Sequence, residues 1–412
     1  MTGPELIGAP PPPIRRDWRL MAWQGASIIS WAGSSAWTVA LSWQAVKTLP
    51  AGQAGIVIAV STIPQTALTL VGGVIADRCS TRAVMAWSQL AHAVTLAAGA
   101  ALWGRTDPWW LLVSLGVVFG SITGLSSAAS ATLGRQLVDT GDLATVSSWN
   151  QVGARLARTA GAPIGAALVA AHGLPTVMIA DGATFLLAVA ALALVTPRYR
   201  IHDVPAEQSW RAGLLDGFAY LSRDRRALVF VVGLCGLNVF SSPLTGLGLP
   251  LRVTAAGWPA DTLGAAEAIF SAGALAGSLG AAVVRTRHQV TAAYVCLVLQ
   301  GLAYAAIAVP SIPVVCAGMG VIGLSAGLAS VWLSATFVQV VDASHLGRVA
   351  SISNLGDLLL VPLATPAFGA LTSTIGITAS PLFLSAGMVL MCVLILARRD
   401  VRAVTTPART KN

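Results

Sequence analysis

The chain has 412 residues, of which 55% are hydrophobic and only 10% are charged, and its mean hydropathy is +0.75. A soluble globular protein carries about 25% charged residues, so this composition excludes a protein that lies mainly in water. The net charge of +9 would suit a nucleic-acid partner, but the positions of the basic residues indicate a different cause.

Apolar runs long enough to cross a bilayer as helices recur along the chain. A transmembrane helix needs about 20 apolar residues. The runs also lack the alternation of apolar and polar residues that is typical of barrel strands. The sequence therefore predicts an all-α polytopic membrane protein with twelve spans. Numbered 1 to 12, these cover residues 19–46, 53–76, 83–104, 108–134, 143–171, 175–196, 227–250, 261–284, 290–309, 312–340, 347–374 and 379–397.

Basic residues divide unequally between the two sides of the membrane. With the proline-rich tail over residues 1–18 in the cytoplasm, 20 of the 25 Lys and Arg residues fall in cytoplasmic segments. Three fall in external loops (Lys47, Arg105 and Arg252), and two lie within span 5. This bias is typical of inner or plasma membranes. It predicts that both termini are cytoplasmic, and it explains the positive charge without a nucleic-acid partner.

Between spans 2 and 3 the sequence GGVIADRCSTR turns abruptly from apolar to charged. Asp77 falls where a helix ends, beside carbonyl groups that repel an acid. Gly73 lies one turn earlier, and Arg78 and Arg82 follow. The two arginines can balance this acid and hold the loop at the membrane surface, so a helix-end salt bridge in a loop that sets the topology is one interpretation of the segment.

Span 5 has two distinct faces. Arg155 and Arg158 share one face with Gln151, because residues three and four apart lie on the same side of a helix. A second stripe holds small residues at every fourth position: Gly153, Ala157, Gly161 and Gly165. We expect this stripe to pack against span 8, which has its own glycines, and the arginine face to line a cavity.

Three acids lie within other spans, where an ionised group is costly and usually lines water or pairs with another group. Asp181 of span 6 caps, pairs or takes part in proton coupling, and Glu267 of span 8 is a candidate partner for a span 5 arginine. Asp357 of span 11 is either a proton carrier or the partner of Arg155 or Arg158. His92 of span 3 is interpreted as a buried structural histidine.

The chain repeats itself at an offset of 203 residues. LVDTGDLATVSSWNQVGARLARTAGAPIGAAL (137–168) aligns with VVDASHLGRVASISNLGDLLLVPLATPAFGAL (340–371), so that span 5 matches span 11. We therefore predict six-span bundles over residues 19–197 and 227–397, a cytoplasmic linker over 198–226 and a cytoplasmic tail over 398–412. Within the linker, apolar residues at helical spacing suit either a helix on the inner membrane surface or a solvated connection.

Two six-span halves and the loop GGVIADRCSTR resemble the major facilitator superfamily, whose corresponding loop has the pattern G-x-x-x-D-R-x-G-R-R. Gly73, Asp77, Arg78 and Arg82 match this pattern, and two positions between them depart from it. The resemblance implies a gate in which the Asp77 carboxylate docks near the N-terminal end of span 11 when the cytoplasmic side is closed. Free N–H groups at a helix N-terminus attract an anion.

A finer resemblance concerns exporters of that superfamily. GAPIGAAL, with Gly161, Pro163 and Gly165, resembles the span 5 signature of proton-coupled drug exporters. DGATFL (181–186) and LGRVAS (346–351) resemble the branch that exports macrolides and siderophores. The family implies that spans 1, 4, 7 and 10 line the substrate path. Candidate cavity residues are Gln24, Ser27, Trp31, Thr38, Gln151, Asn238, Ser241, Thr245 and Trp332.

The predicted function is a secondary transporter that exports a hydrophobic or amphiphilic small molecule by proton antiport with alternating access. Its expected partners are the substrate, protons and the bilayer, and the expected state is a monomer without cofactor or metal. An importer or uniporter of a small metabolite is the alternative. A membrane-embedded enzyme is disfavoured because phosphate-loop, zinc and nucleophile-elbow motifs are lacking.

Overall fold

A computed structural model gives the fold over residues 5–6, 14–78, 80–139, 141–196, 199–200, 210–284, 286, 288–342 and 345–398. The side chains of residues 70–78 and of Gln151 lie outside this description. The helices are α1 (Trp18–Thr48), α2 (Ala51–Arg78), α3 (Thr81–Leu102), α4 (Pro108–Leu137), α5 (Leu143–His172), α6 (Leu174–Ala193), α7 (Trp210–Arg223), α8 (Arg225–Pro243), α9 (Leu249–Ala255), α10 (Ala260–Val283), α11 (Gln289–Tyr304), α12 (Ile312–Val340) and α13 (Leu346–Ala397). Shorter elements are 3-10 turns at Ile14–Arg16 and Ala305–Ala308, a π-helical turn at Leu244–Gly248, and the antiparallel strands β1 (Glu5–Leu6) and β2 (Tyr199–Arg200).

The described helices confirm the predicted all-α membrane architecture. Spans 1 to 6 correspond to α1–α6, and spans 8 to 10 to α10–α12. Span 7 comprises α8, the π-helical turn and α9. Spans 11 and 12 form α13, which bends at Gly376, a residue with φ 83° and ψ 164°. Among the described segments, seven are long and apolar enough to cross a membrane, with α13 counted once.

The chain divides into two compact units, Met1–Leu49 with Ile56–Pro205, and Pro50–Gly55 with Ala206–Asn412. Within the first unit α1 packs on α5, α2 on α4 and α3 on α6. Within the second unit α8 packs on the first arm of α13, α10 on α12, and α11 on the second arm of α13. These pairs match at the offset of 203 residues, so the sequence repeat is also a repeat of helix packing.

Small residues bring the paired helices into close contact. A β-carbon added at Gly161 would lie 2.9 Å from the Cβ of Ser35, and one added at Gly165 would lie 2.8 Å from the Ala36 carbonyl carbon, both on α1. In the second unit, a β-carbon at Gly273 of α10 would lie 2.7 Å from a backbone oxygen of α12. The prediction that the span 5 stripe packs on span 8 was wrong, because the α1 backbone occupies that face.

Arg252 lies in α9 and is only 4% exposed. Its Nε donates to the carbonyl of Ile307 at 2.6 Å, and its Nη2 donates to the carbonyl of Ala308 at 2.8 Å. Nη2 also lies 3.1 Å from the Ile377 carbonyl and 3.2 Å from the Thr378 hydroxyl. The prediction of an external loop position was wrong. Carbonyl groups at the end of one helix and beside the bend of another stabilise this buried cation.

Part of the predicted linker forms α7, whose last turns dock on α13. Leu221 is 3% exposed and packs with Val349 and Ile352. Leu215 and Phe218 remain 70% and 50% exposed. The helix therefore has one docked apolar face and one exposed apolar face, and its position on the membrane surface stays a prediction.

Polar contacts fix α7 against the start of α13. Asp216 forms an ion pair with Arg348 and lies 3.4 Å from Nε2 of His345. The Tyr220 ring stacks on the His345 ring at 4.5 Å, and its hydroxyl accepts a hydrogen bond from the Asp342 N–H. Burial raises the pKa of Tyr220, so this hydroxyl keeps the proton that it donates to Asp224.

Candidate functional site

The second unit contains a cavity of about 560 Å³, which is within the usual size of a small-molecule site. Apolar and aromatic residues, including Phe270 and Phe337, form part of its wall. The polar lining residues are Asn238, Ser241, Thr245, Gln300, Tyr304, Ser330, Ser334, Ser353 and Asn354. Three of these, Asn238, Ser241 and Thr245, were predicted from span 7.

Local sequence explains how span 7 presents its polar groups. The spacing of Asn238, Ser241 and Thr245 places all three on one face of the segment. Pro243 lies between the last two and lacks the N–H that would continue the helical ladder. Directly after this proline, the segment Leu244–Gly248 forms a π-helical turn. Such turns occur frequently at functional sites.

Gln300 and Tyr304 of α11 also line this cavity, although the sequence analysis did not select them. Gln300 is 6% exposed, and its Nε2 lies 3.5 Å from the Tyr304 hydroxyl. Its Oε1 is buried and has no hydrogen-bond partner among the described residues. The sequence could have indicated this pair, because an amide and a phenol four residues apart in an apolar span are polar groups that need partners when they are buried.

Asp357 lies at the edge of the same cavity. Its Oδ2 accepts a hydrogen bond of 2.9 Å from Nδ2 of Asn238. Its Oδ1 is buried and has no hydrogen-bond partner in the described part of the chain. The thiol of Cys235 lies beside the carboxyl group. Thus α8 and α13 together hold an acid of which one oxygen accepts a hydrogen bond and the other has no partner among the described residues.

Glu267 of α10 is partly buried. It precedes the lining residue Phe270 by three positions and therefore shares its helix face. No hydrogen bond or ion pair joins the Glu267 carboxyl to another residue within the described ranges. The helix that contributes Phe270 to the wall thus carries an acid one turn earlier in the chain.

The first unit contains a smaller cavity of about 310 Å³. Ser27 and Trp31, both predicted cavity residues, line it together with Ser34 of the same helix. His92 lines it as well, 3% exposed and stacked on Phe185 at 4.5 Å. The Nε2 of His92 lies 3.1 Å from the Thr123 hydroxyl, whereas Nδ1 has no partner among the described residues. His92 therefore lines the cavity, and only one of its two ring nitrogens has a hydrogen-bond partner among the described residues.

Three predicted cavity residues lie outside these linings. Gln24 is 5% exposed, and Trp332 is 6% exposed. Thr38 is exposed and donates to the Ser34 carbonyl at 2.9 Å. The Gln151 side chain falls outside the described part of the structure.

Asp181 is 1% exposed, between α6 and α1 of the first unit. Its Oδ1 accepts a hydrogen bond of 3.1 Å from the Thr184 hydroxyl, and its Oδ2 has no partner within the described chain. Gly33 of α1 lies directly against this carboxyl group. On α5, Arg155 and Arg158 lie on an exposed face, and the Arg158 carbonyl is 3.5 Å from the Ser35 hydroxyl.

Among the predicted gate residues between α2 and α3, the structure describes the side chain of Arg82. Arg82 donates from Nη2 to the Ala193 carbonyl at 2.8 Å, so it binds the C-terminal end of α6. A cation is favourable at that end of a helix. The side chains of Asp77 and Arg78 lie outside the described part of the structure, and the gating role of these two residues and of Gly73 stays a prediction.

The family model of the Major Facilitator Superfamily matches residues 25–289. This is more than half of the chain, and the chain belongs to that superfamily. It is a multi-pass membrane transporter and not an enzyme. The search of curated proteins returned no match.

Solved transporter structures share the fold. The nucleoside transporter NupG has a TM-score of 0.69 at 15% identity, over 92% of this chain and 98% of that one. A bacterial homologue of the human lysosomal transporter Spinster has a TM-score of 0.69 at 13% identity, over 97% and 100%. A D-xylose-proton symporter has a TM-score of 0.65 at 12% identity, over 92% and 97%. At these identities the likeness concerns the fold alone.

Proposed function

We propose that this transporter exports an amphiphilic small molecule in exchange for protons. One observation carries the proposal: the cavity of the second unit combines aromatic walls and neutral polar groups with a carboxyl group, that of Asp357, which is hydrogen-bonded to the lining residue Asn238. The aromatic walls suit an apolar body, and the amides and hydroxyls suit its polar groups. A carboxyl group beside the cavity can take up and release a proton.

The proposal assigns different roles to the predicted charged residues. Asp357 carries the proton, because one of its oxygens has no hydrogen-bond partner among the described residues while Asn238 donates to the other. Arg155 and Arg158 belong to the polar path of the first bundle. Asp77 and its neighbours form the cytoplasmic gate. The predominance of basic residues in segments beside both termini supports a cell-membrane protein with both termini in the cytoplasm.

Direction and coupling are tested by accumulation. The chain is expressed in a host without its major efflux pumps, and uptake of a panel of fluorescent amphiphiles is followed with and without an uncoupler. We expect lower accumulation of at least one compound than in the empty-vector host, and loss of this difference when the proton gradient is dissipated. Efflux that resists the uncoupler would remove the antiport mechanism. Higher accumulation on expression would favour the importer.

A further inference from the structure

The larger cavity has a polar wall without charged side chains. Its described lining residues include no Asp, Glu, Lys, Arg or His. Leucine, alanine and phenylalanine side chains form the apolar part of the wall. The polar part consists of three amides and six hydroxyl groups: Asn238, Gln300, Asn354, Ser241, Thr245, Tyr304, Ser330, Ser334 and Ser353. A ligand in this cavity therefore meets neutral dipoles and apolar groups.

The neutral polar groups supply both hydrogen-bond donors and acceptors. Three hydroxyls donate to carbonyl groups of their own helices and keep their lone pairs as acceptors, namely Thr245, Ser330 and Ser334. An amide has two N–H groups and a carbonyl oxygen. Asn238 and Gln300 each use one N–H on a neighbouring side chain, which leaves each of them a second N–H. Hydrogen bonding at this wall therefore favours neither sign of charge.

Charged residues of the same unit lie outside the lining. Asp357 accepts a hydrogen bond from the lining residue Asn238, but it is not itself a lining residue, and its Oδ1 is buried. Glu267 is likewise not among the residues that line the cavity. Arg252 is already bound to the carbonyl groups at the end of the 3-10 turn Ala305–Ala308. The described wall thus offers no counter-ion to either a cationic or an anionic ligand.

The smaller cavity of the first unit has the same character. Its lining contains no Asp, Glu, Lys or Arg within the described ranges, and Arg155 and Arg158 are not part of it. The titratable lining residue His92 has its Nε2 at 3.1 Å from the Thr123 hydroxyl. The remaining polar lining residues are an amide and further hydroxyls: Gln89, Ser27, Ser30, Ser34, Ser126, Ser127 and Ser130. Each unit, taken by itself, therefore presents mainly neutral polar groups.

Desolvation decides which ligands such a wall can accept. An ionised group loses its hydration when it enters a cavity, and the loss is offset only when an opposite charge and hydrogen bonds replace the water. Neutral amides and hydroxyls cannot supply the opposite charge. They can replace the water molecules around an uncharged polar group, whose desolvation costs much less.

We infer that the substrate is an uncharged amphiphile, which the amides and hydroxyls of the larger cavity bind through donated and accepted hydrogen bonds while Phe270 and Phe337 contact its apolar body. The inference rests on the proposed transport function and narrows its substrate class. It separates the two tasks of the site, because the lining binds the cargo and Asp357 carries the proton.

The test compares three probes that share a dansyl body and differ in the group at the end of a short chain. N-acetyl-dansylcadaverine is neutral, dansylcadaverine is a cation, and dansyl-6-aminohexanoic acid is an anion at pH 7. Binding of each to the purified full-length chain in detergent is followed by dansyl fluorescence, with empty micelles as the background. We expect the neutral probe to bind roughly ten-fold more tightly or better than either charged probe, which corresponds to about 1.4 kcal/mol.

A variant assigns the preference to the cavity wall. Ser334 lines the cavity and is exposed, so Ser334→Asp adds a carboxylate to the wall without filling it. Dansylcadaverine should then bind roughly ten-fold more tightly than to the wild-type chain, because it gains a charged hydrogen bond. Ser222→Asp is the matched control, since Ser222 is exposed on α7 and lies outside the cavity lining. It should keep the wild-type order of affinities.

The other outcomes contradict the inference. Tighter binding of either charged probe, equal binding of all three, or binding of none would overturn it in the wild-type chain and needs no variant. An unchanged affinity of a folded Ser334→Asp chain for dansylcadaverine would overturn the assignment to this cavity, and thermal unfolding checks the fold. Failure of the proposed function is distinguishable, because a chain that prefers the neutral probe but shows no uncoupler-sensitive export retains this inference and loses only proton antiport.

Discussion

At the scale of single residues, Gly33 of α1 packs directly against the carboxyl group of Asp181, a predicted site residue of the first unit. A β-carbon added at Gly33 would collide with the Asp181 carboxyl group and would lie 2.7 Å from the Thr184 hydroxyl. Asp181 is almost fully buried and has one unpartnered oxygen among the described residues. The glycine therefore provides the space that this acid occupies beside α1.

Gly33→Ala should destabilise the protein by about 1–3 kcal/mol, because an added methyl group in a packed interface forces neighbours to move. The control is Gly25→Ala on the same helix, where a β-carbon meets nothing within 4 Å. That change should be neutral or stabilise by up to about 1 kcal/mol through helix propensity. Thermal unfolding in detergent measures both. Equal shifts in the two variants would contradict the packing argument.

At the scale of elements, α7 ties the segment between the bundles to the start of α13. Its attachment combines a buried leucine with a half-exposed ion pair, Asp216 with Arg348. A surface ion pair contributes at most about 1 kcal/mol, whereas a buried leucine contributes several times more. The apolar contact at Leu221 therefore dominates the docking of this helix.

Leu221→Ala should lower the free energy of unfolding of the second bundle by about 2–5 kcal/mol, since it leaves a cavity against Val349 and Ile352. Leu215→Ala is the same substitution on the same helix at a 70% exposed position. It should change stability by less than about 0.5 kcal/mol in detergent. The comparison is made by thermal unfolding and by the rate of proteolysis at α7. Similar losses in both variants would show that α7 is not held by Leu221.

At the scale of the whole molecule, the sequence predicted the spans and the repeat because hydropathy and helix length obey simple limits in a bilayer. It also predicted the polar face of span 7. The packing partners of individual residues escaped it, since the choice of partner depends on packing that periodicity does not contain. The glycine stripe of α5 packs on α1 and not on span 8, and Arg252 is buried on carbonyl groups. Gln300 and Tyr304 were missed because they lie in span 9, outside the spans 1, 4, 7 and 10 that the family resemblance assigns to the substrate path.

Asp357→Asn tests coupling, the property that belongs to the whole transport cycle. A neutral amide can still accept the hydrogen bond from Asn238, but it cannot carry a proton across the membrane. Proton-driven efflux should therefore be abolished, while exchange of labelled for unlabelled substrate across proteoliposomes continues. Asp261→Asn, an exposed acid of the same unit, should retain both activities.

The outcome separates coupling from structural support. If Asp357 instead neutralises an arginine within the membrane, its removal leaves that charge unpaired in the bilayer at a cost of about 3 kcal/mol, and expression should fail. Restoration of expression by Arg155→Gln or Arg158→Gln would then assign Asp357 to charge pairing. Normal proton-driven efflux by Asp357→Asn would exclude both roles, and the proton carrier would have to be sought at Asp181 or Glu267. If Asp357 titrates during the cycle, its amide variant should exchange substrate without net proton-driven efflux. Asp357 then releases the proton, whereas other residues bind the substrate.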